Sequence, residues 1–323
     1  MSLPLGPIIG ILADNLHLRK SVMPLSTMKA TAWAKGLNLP VGGETVLYTG
    51  LMYQLMPYTS SMSAMTAMVD GTWITRTMGL GRIFNKFVNI SRFMALPGRK
   101  RIREYNNRLR NIALLLKAAG VEFGYLYGKE PYAGALVHEQ GMEDVFRNHA
   151  CAVYRRLKES GVKRVITVDP HTTNVLRSIY PKFIRDYDLD VKSYIEVLAE
   201  ADLAPGKQLG ERVVIHDSCV YARDENMVNQ PRLLLDKAGI HVVPTDNSGR
   251  QTICCGGPIE SLFPAKSAEI ASKRLEQLKN TETTAIVSMC PVCLLNLSHV
   301  SQKHGVTVCD LSEYLAEAYL VRS

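Results

Sequence analysis

The same order of signals occurs twice along this chain, so any fold must be built from two copies of one small unit. One copy opens with ETVLYTGLMY (Glu44 to Tyr53) and the other with ERVVIHDSCVYAR (Glu211 to Arg223), each a β-branched run of strand type. A helix follows, NIALLLKAAG (Asn111 to Gly120) in one and RLLLDKAG (Arg232 to Gly239) in the other. Each ends on the glycine that a left-handed helix stop requires. The apolar VEFGYLYG then matches IHVVPT, and EPYAGALVHEQG (Glu130 to Gly141) matches TICCGGPIESLF (Thr252 to Phe263), each leading into a long amphipathic helix. RVITVDPHTT stands against AIVSMCPVCL, a strand whose following proline opens a helix, a position that tolerates proline. The words EVLAEADL (Glu196 to Leu203) and EYLAEAYL (Glu313 to Leu320) close the copies.

Short strands alternating with longer helices make parallel βαβ units. The expected fold is therefore α/β: two tandem Rossmann-like parallel-sheet units related by a pseudo-twofold axis. The expected boundaries are an N-terminal extension over 1–43, a first unit over 44–205 and a second over 206–323. The copies differ by an insertion, since Leu51 to Tyr132 spans 81 positions and the matching Cys219 to Cys254 spans 35. The surplus is assigned to 59–104 as a helical, basic, methionine-containing segment with Met62, Met65, Met68, Met78 and Met94. The net charge of +8 sits there: Gly71 to Arg110 holds ten bases against Glu104 alone, and the rest of the chain sums to −1. A charge so local argues for a docking surface for a partner or an anionic membrane surface, and against a nucleic-acid-binding protein.

Leu3 to Ala13 is apolar but holds two prolines and two glycines, with no Lys or Arg before it, which suits neither a signal peptide nor a membrane span. The seven cysteines are then expected in a reducing, cytoplasmic setting, where clustered thiols are metal ligands or redox groups rather than disulfides. Five of them follow the strands of the second copy: Cys219 after VVIHDS, Cys254 and Cys255 after the second strand, Cys290 and Cys293 after AIVSM. Ligands of an open parallel sheet gather at the carboxyl ends of its strands, so these five are expected to converge. Cys290-Pro-Val-Cys293 opens a helix, where the dipole favours thiolate, and Gly256 and Gly257 let the backbone approach a bulky group. Cys151 and Cys309 are expected to be core residues. Zinc and an ordinary cubane each take four ligands, so the fifth thiol either bridges irons in an unusual cluster or is a reactive group beside zinc. Cys255 and Cys219 are the candidate reactive thiols. His216, with Asp217, is a candidate hydrogen-bond partner of cluster sulfur, and Arg223 a candidate for attracting an anionic substrate group.

The run Cys219, 34 residues, Cys254-Cys255-Gly256, 33 residues, Cys290-Pro-Val-Cys293, with HDSCVYAR and CCGGPIESLFPAK around it, resembles the cysteine-rich CCG domain of the B-type and D-type chains of heterodisulfide reductase. The resemblance extends over the tandem repeat, Glu44 to Leu320. It implies one noncubane [4Fe-4S] cluster held by all five cysteines and acting in disulfide or thiol redox chemistry on a small or protein-borne sulfur substrate. It also implies electron delivery by a ferredoxin-like C-type subunit and a flavin-containing A-type subunit, with any membrane association made through such partners. No ferredoxin-type cysteine run, flavin fingerprint or P-loop is present to supply electron entry within the chain. In the first copy Leu51, Tyr132, Ala133, Asp169 and Thr172 stand where the motif has cysteines, while Gly134 and Pro170 are kept. That copy is expected to survive as a fold that shapes a substrate cleft or docks a partner, with Asp169, His171 and Tyr132 as candidates for polar roles. Two alternatives remain: an electron-transfer subunit of a lactate, glycolate or glycerol-phosphate dehydrogenase, and a structural subunit with bound zinc.

Overall fold

A computed structural model describes residues 5–23, 25–69, 97–279 and 283–320. Two all-parallel sheets form. The first runs β1 (Thr45–Tyr48), β2 (Arg164–Thr167), β3 (Asp190–Ser193). The second has the order β5-β4-β6-β7, from β4 (Arg212–His216), β5 (His241–Val242), β6 (Ala285–Ser288) and β7 (Thr307–Asp310). Val46, Leu47 and Tyr48 are all fully buried, as are Val213 and Val214, because helices cover both faces of each sheet.

The repeat extends to the missing strand. On the edge of β1 away from β2, Gly124 accepts from Leu47 N–H at 2.9 Å and donates to Thr45 at 2.9 Å, in the place β5 takes beside β4. Only glycine fits there, since a Cβ on Gly124 would lie 1.7 Å from the Gly42 carbonyl oxygen. The helices that leave the inner strands also match. Asp169 caps the short helix Pro170–Asn174, accepting from Thr172 N–H, and Cys290 caps the helix Pro291–His304 in the same way toward Cys293. Capping boxes at Ser193 with Glu196 and at Asp310 with Glu313 start the last helix of each copy.

The copies pack through reciprocal contacts, as a pseudo-twofold demands. Tyr53 follows Leu51 by two positions and donates to Asp310 at 2.8 Å; Tyr221 follows Cys219 by two and meets Ser193 at 2.8 Å. Each tyrosine thus reaches the helix cap that ends the other unit's sheet. A buried carboxylate, Glu225 of the second unit, further clamps Asn174, Arg177 and Ser178 of the first.

The elements differ from the sequence reading in extent. The strand words are cut short: Glu44 to Tyr53 contains a four-residue strand, a turn and the start of a helix at Met52. The insertion assigned to 59–104 begins inside the helix Met52–Val69 and ends inside the helix Arg99–Ala118. Residues 70–96, with Met78, Met94 and four of the bases, lie outside the described residues. Three of the remaining arginines are used within the fold. Arg108 pairs with Glu313 at 3.2 Å, Arg110 donates to the Trp33 and Lys35 carbonyls, and Arg101 donates to Ser60. The N-terminal extension packs on the first unit, with Trp33 fully buried and its indole N–H on the Tyr125 hydroxyl. No helix among the described residues is long and apolar enough to cross a membrane.

Candidate metal centre

The five cysteines of the second copy meet at the carboxyl ends of its strands. Cys219 lies three residues past β4, and Cys290 two past β6, with Cys293 on the first turn of the helix it caps. Cys254 and Cys255 arrive from a longer path than expected, through a loop and the 3-10 turn Gly249–Gln251 rather than directly from β5. A left-handed Gly256 (φ 83°) turns the chain at that point, as Gly134 (φ 90°) does in the first copy. A Cβ at Gly257 would sit 3.3 Å from the Cys255 sulfur and 2.5 Å from a Val292 methyl, so the glycine pair leaves room for the sulfurs.

The sulfurs form one chain of contacts. Cys255 and Cys293 are 3.2 Å apart, and hydrogen bonds link Cys219 to Cys254, Cys254 to Cys255 and Cys293 to Cys290. Cys255, Cys290 and Cys293 are buried in an apolar cluster with Val214, Ala271 and Leu297, while Cys219 and Cys254 are half-buried. The set therefore has a dry inner end and a more open outer end.

Crowding divides the protons unevenly. Hydrogen bonds from Cys254 and Cys293 hold the Cys255 thiol down at about 5. Burial pushes Cys290 up, but Cys293 and the facing His171 outweigh it and leave that thiol at about 5 as well. Cys293, bonded to both, is driven well above the ordinary thiol range, and Cys219 is raised by its bond to Cys254 and by burial. Adjacent thiolates repel, so the site holds some of its five sulfurs ionised and the rest protonated.

His216, at the end of β4, completes the inner wall: one of its ring nitrogens and the Cys255 and Cys293 sulfurs lie within 4.8 Å of one another. Arg274 donates through Nε to His216 Nδ1 at 3.3 Å. A guanidinium only donates, so Nδ1 must accept and the ring proton sits on Nε2. Burial and Arg274 lower the His216 pKa to about 4, which keeps the ring neutral. His216 Nε2 is buried with no hydrogen-bond partner, so this tautomer leaves an unsatisfied N–H donor on the ring. Asp217 differs from expectation: its carboxylate is taken up by Arg232 at 2.7 and 2.8 Å and by the Gly249 N–H, a structural role. Arg223 is exposed. Cys151 and Cys309 lie on a helix and on β7, half-buried rather than in the core.

Two contributors escaped the sequence reading. Arg274 occupies the buried stripe Ser267, Ala271, Arg274, Leu275, Leu278 of its helix, and an arginine at helical spacing among apolar residues was the available signal. Asn296 donates to the Cys255 carbonyl at 2.6 Å and accepts from Ser267, fixing the CCG turn; nothing local marked it.

The first copy also borders the site. His171, 4% exposed, hydrogen-bonds through Nδ1 to Glu139 and lies in hydrogen-bonding reach of Cys290. Burial pushes its pKa down, and Glu139 and Cys290 overcome that to hold it well above the usual imidazole range. Asp169 and Tyr132 are buried within their own unit, as a helix cap and as the acceptor of the Leu136 N–H. A mainly apolar crevice runs between the copies, lined by Met52, Met56, Leu136, Val292 and Leu295, with Glu139 on its wall.

Comparison with known proteins finds iron–sulfur and oxidoreductase relatives. The chain is 31% identical over 231 residues to a probable iron–sulfur-binding oxidoreductase, FadF, of Bacillus subtilis, covering 67% of this chain and 32% of that protein. It is 30% identical over 221 residues to EtfAB:quinone oxidoreductase of Syntrophomonas wolfei, covering 63% and 31%. To one of the subunits of the dihydromethanophenazine:CoB–CoM heterodisulfide reductase of Methanosarcina barkeri it is 25% identical over 217 residues, covering 63% and 53%. The chain thus spans about a third of the length of the first two. The model of the cysteine-rich domain family CCG matches residues 213–298, which contain all five converging cysteines.

Proposed function

We propose that Cys219, Cys254, Cys255, Cys290 and Cys293 together hold one iron–sulfur cluster, of the noncubane [4Fe-4S] type. On this reading the chain is the redox-active subunit of an oxidoreductase complex acting on a thiol or disulfide. The observation that carries the reading is the contact chain of five thiols beside an Nε2–H donor with no partner. A zinc site needs four ligands and would leave a thiol over, and the His216 tautomer withholds the imidazole lone pair that a mixed Cys/His site would use. When bound, such a cluster supplies electron transfer and an iron edge able to meet a substrate sulfur. The chain's own residues do the rest. Cys290 and Cys293 anchor on a helix start, Gly256 and Gly257 admit the bulk, and Asn296 holds the CCG turn. His216 offers its N–H to sulfur, and the apolar crevice between the copies limits water and offers a place for the apolar body of a thiol. Electrons are expected from ferredoxin-like and flavin-containing partner subunits in the cytoplasm, with a small thiol or a sulfur carrier protein as substrate.

A second reading is favoured by two relatives, FadF and EtfAB:quinone oxidoreductase: the same cluster relays electrons in a larger assembly and meets no sulfur substrate. Such a relay would reach the membrane through its partners.

Anaerobic purification followed by iron, acid-labile sulfide and zinc analysis tests the cluster. About four irons with matching sulfide per chain are expected; one zinc without sulfide would overturn it. Cys255→Ala should lose the metal and its electron paramagnetic resonance signal while Cys151→Ala keeps both, and equal loss in the two would overturn the ligand assignment. Adding alkyl thiols to the oxidised protein should perturb the signal if sulfur is the substrate; a signal indifferent to thiols but reducible by a flavoprotein donor favours the relay.

A further inference from the structure

The first copy has lost every cysteine of the motif, yet it keeps the turn that would have carried two of them. Asp169 replaces the capping thiol and accepts from Thr172 N–H at 2.9 Å, so Pro170 and His171 occupy the same turn as Pro291 and Val292. His171 is the middle residue of that turn. The pseudo-twofold brings it to the partner copy's helix start, where it lies in hydrogen-bonding reach of the Cys290 sulfur. A buried imidazole needs its polar atoms satisfied, and this one is held from behind by Glu139, the last residue of the helix Ala135–Glu139. The Glu139 side chain is 23% exposed against 3% for His171, so the pair runs from the crevice inward to the thiol. In the other copy the corresponding residue, Val292, carries no polar group.

We propose that His171, oriented by Glu139, donates a hydrogen bond to the Cys290 sulfur and acts as a positioning residue that raises the reduction potential of the redox group Cys290 holds. The inference rests on the iron–sulfur reading given above and names how the degenerate copy regulates the intact one. A thiolate ligand grows more electron-rich when its cluster is reduced, so an N–H donor aimed at it favours the reduced form. The site is then composite: five thiols from the second unit and His216 on one side, and the His171–Glu139 pair from the first unit on the other. Loss of the first copy's cysteines need not have left that copy idle, because one turn of it completes the environment of the remaining site.

The experiment is a redox titration of the full chain, followed by electron paramagnetic resonance, on the wild type, His171→Leu, His171→Gln and Glu139→Gln. With iron and sulfide contents equal to wild type, His171→Leu should show a lower midpoint potential. His171→Gln, which keeps an N–H donor, should lie nearer the wild type, and Glu139→Gln should shift less than His171→Leu but in the same direction. An unchanged potential in His171→Leu with the cluster intact overturns the inference while leaving the iron–sulfur reading standing. A wild-type chain that holds no cluster overturns both. Should His171→Leu fail to assemble, Glu139→Gln, which leaves His171 in place, decides alone: a lowered potential supports the inference and an unchanged one overturns it.

Discussion

At the scale of single residues, burial next to a few well-placed donors sets the chemistry of both copies. The five thiols were legible because cysteines in strand-end turns of an α/β unit have few other uses. The tautomer of His216 was not, because it depends on Arg274, 58 positions away. Glu130 of the first copy shows the same physics without any thiol. Its carboxyl accepts from Thr49 N–H and hydroxyl and from Gly50 N–H, yet burial outweighs these bonds and lifts it to about 7 from 4.5. The folded chain therefore keeps this proton over a range in which the unfolded chain has released it. Its contribution to stability is full below pH 4.5 and is lost as pH rises toward 7. The difference is on the order of 3 kcal/mol. Glu130→Gln keeps the acceptor but cannot ionise, so it should flatten this slope and be the more stable form at pH 8. Urea unfolding of both proteins between pH 4 and pH 8 would check it; parallel curves would contradict it.

Among the elements, the repeat predicted the order of strands and helices but not their ends. The run Glu44 to Tyr53 reads as a strand because Thr45, Val46 and Thr49 are β-branched and Tyr48 and Tyr53 aromatic. Leu51 to Tyr53 are buried for another reason, as the turn and first residues of a helix at the contact between copies. The edge strand of the first sheet shrinks to two bridges, where Gly124 packs against the Gly42 carbonyl. Helix starts were more legible, because Asp, Ser or Cys followed by Pro or by Glu at the third position is a local signal with a local cause. The box at Ser193 has both halves: its hydroxyl takes the Ile195 N–H, and Glu196 takes the Ser193 N–H at 2.8 Å. Ser193→Ala removes both this cap and the buried bond to Tyr221 and should cost about 1–3 kcal/mol in chemical denaturation. Its iron content should stay at the wild-type value, since the cap serves the helix Tyr194–Glu200 and not the thiols.

For the whole molecule, the pseudo-twofold makes paired predictions about the contact between copies. Tyr53 donates to a carboxylate, Asp310, whereas Tyr221 meets the hydroxyls of Ser193 and Thr173. Tyr53→Phe leaves a buried carboxylate oxygen short of a donor and should cost about 1–3 kcal/mol. Tyr221→Phe leaves two hydroxyls that can rotate to one another or to nearby carbonyls, and should cost less. Equal losses in urea unfolding would contradict the asymmetry. The sequence by itself determined the tandem α/β plan, the five-thiol motif and the copy that had lost it, because strand periodicity, helix caps and cysteine spacing are carried by neighbouring residues. Only the tertiary structure decided what surrounds the thiols. Arg274 selecting the His216 tautomer, Asp217 turning to Arg232, Arg101, Arg108 and Arg110 bonding inside the fold, and His171 crossing to Cys290 all join residues distant in sequence. Such contacts are set by how two sheets and their helices pack, and no local pattern encodes them.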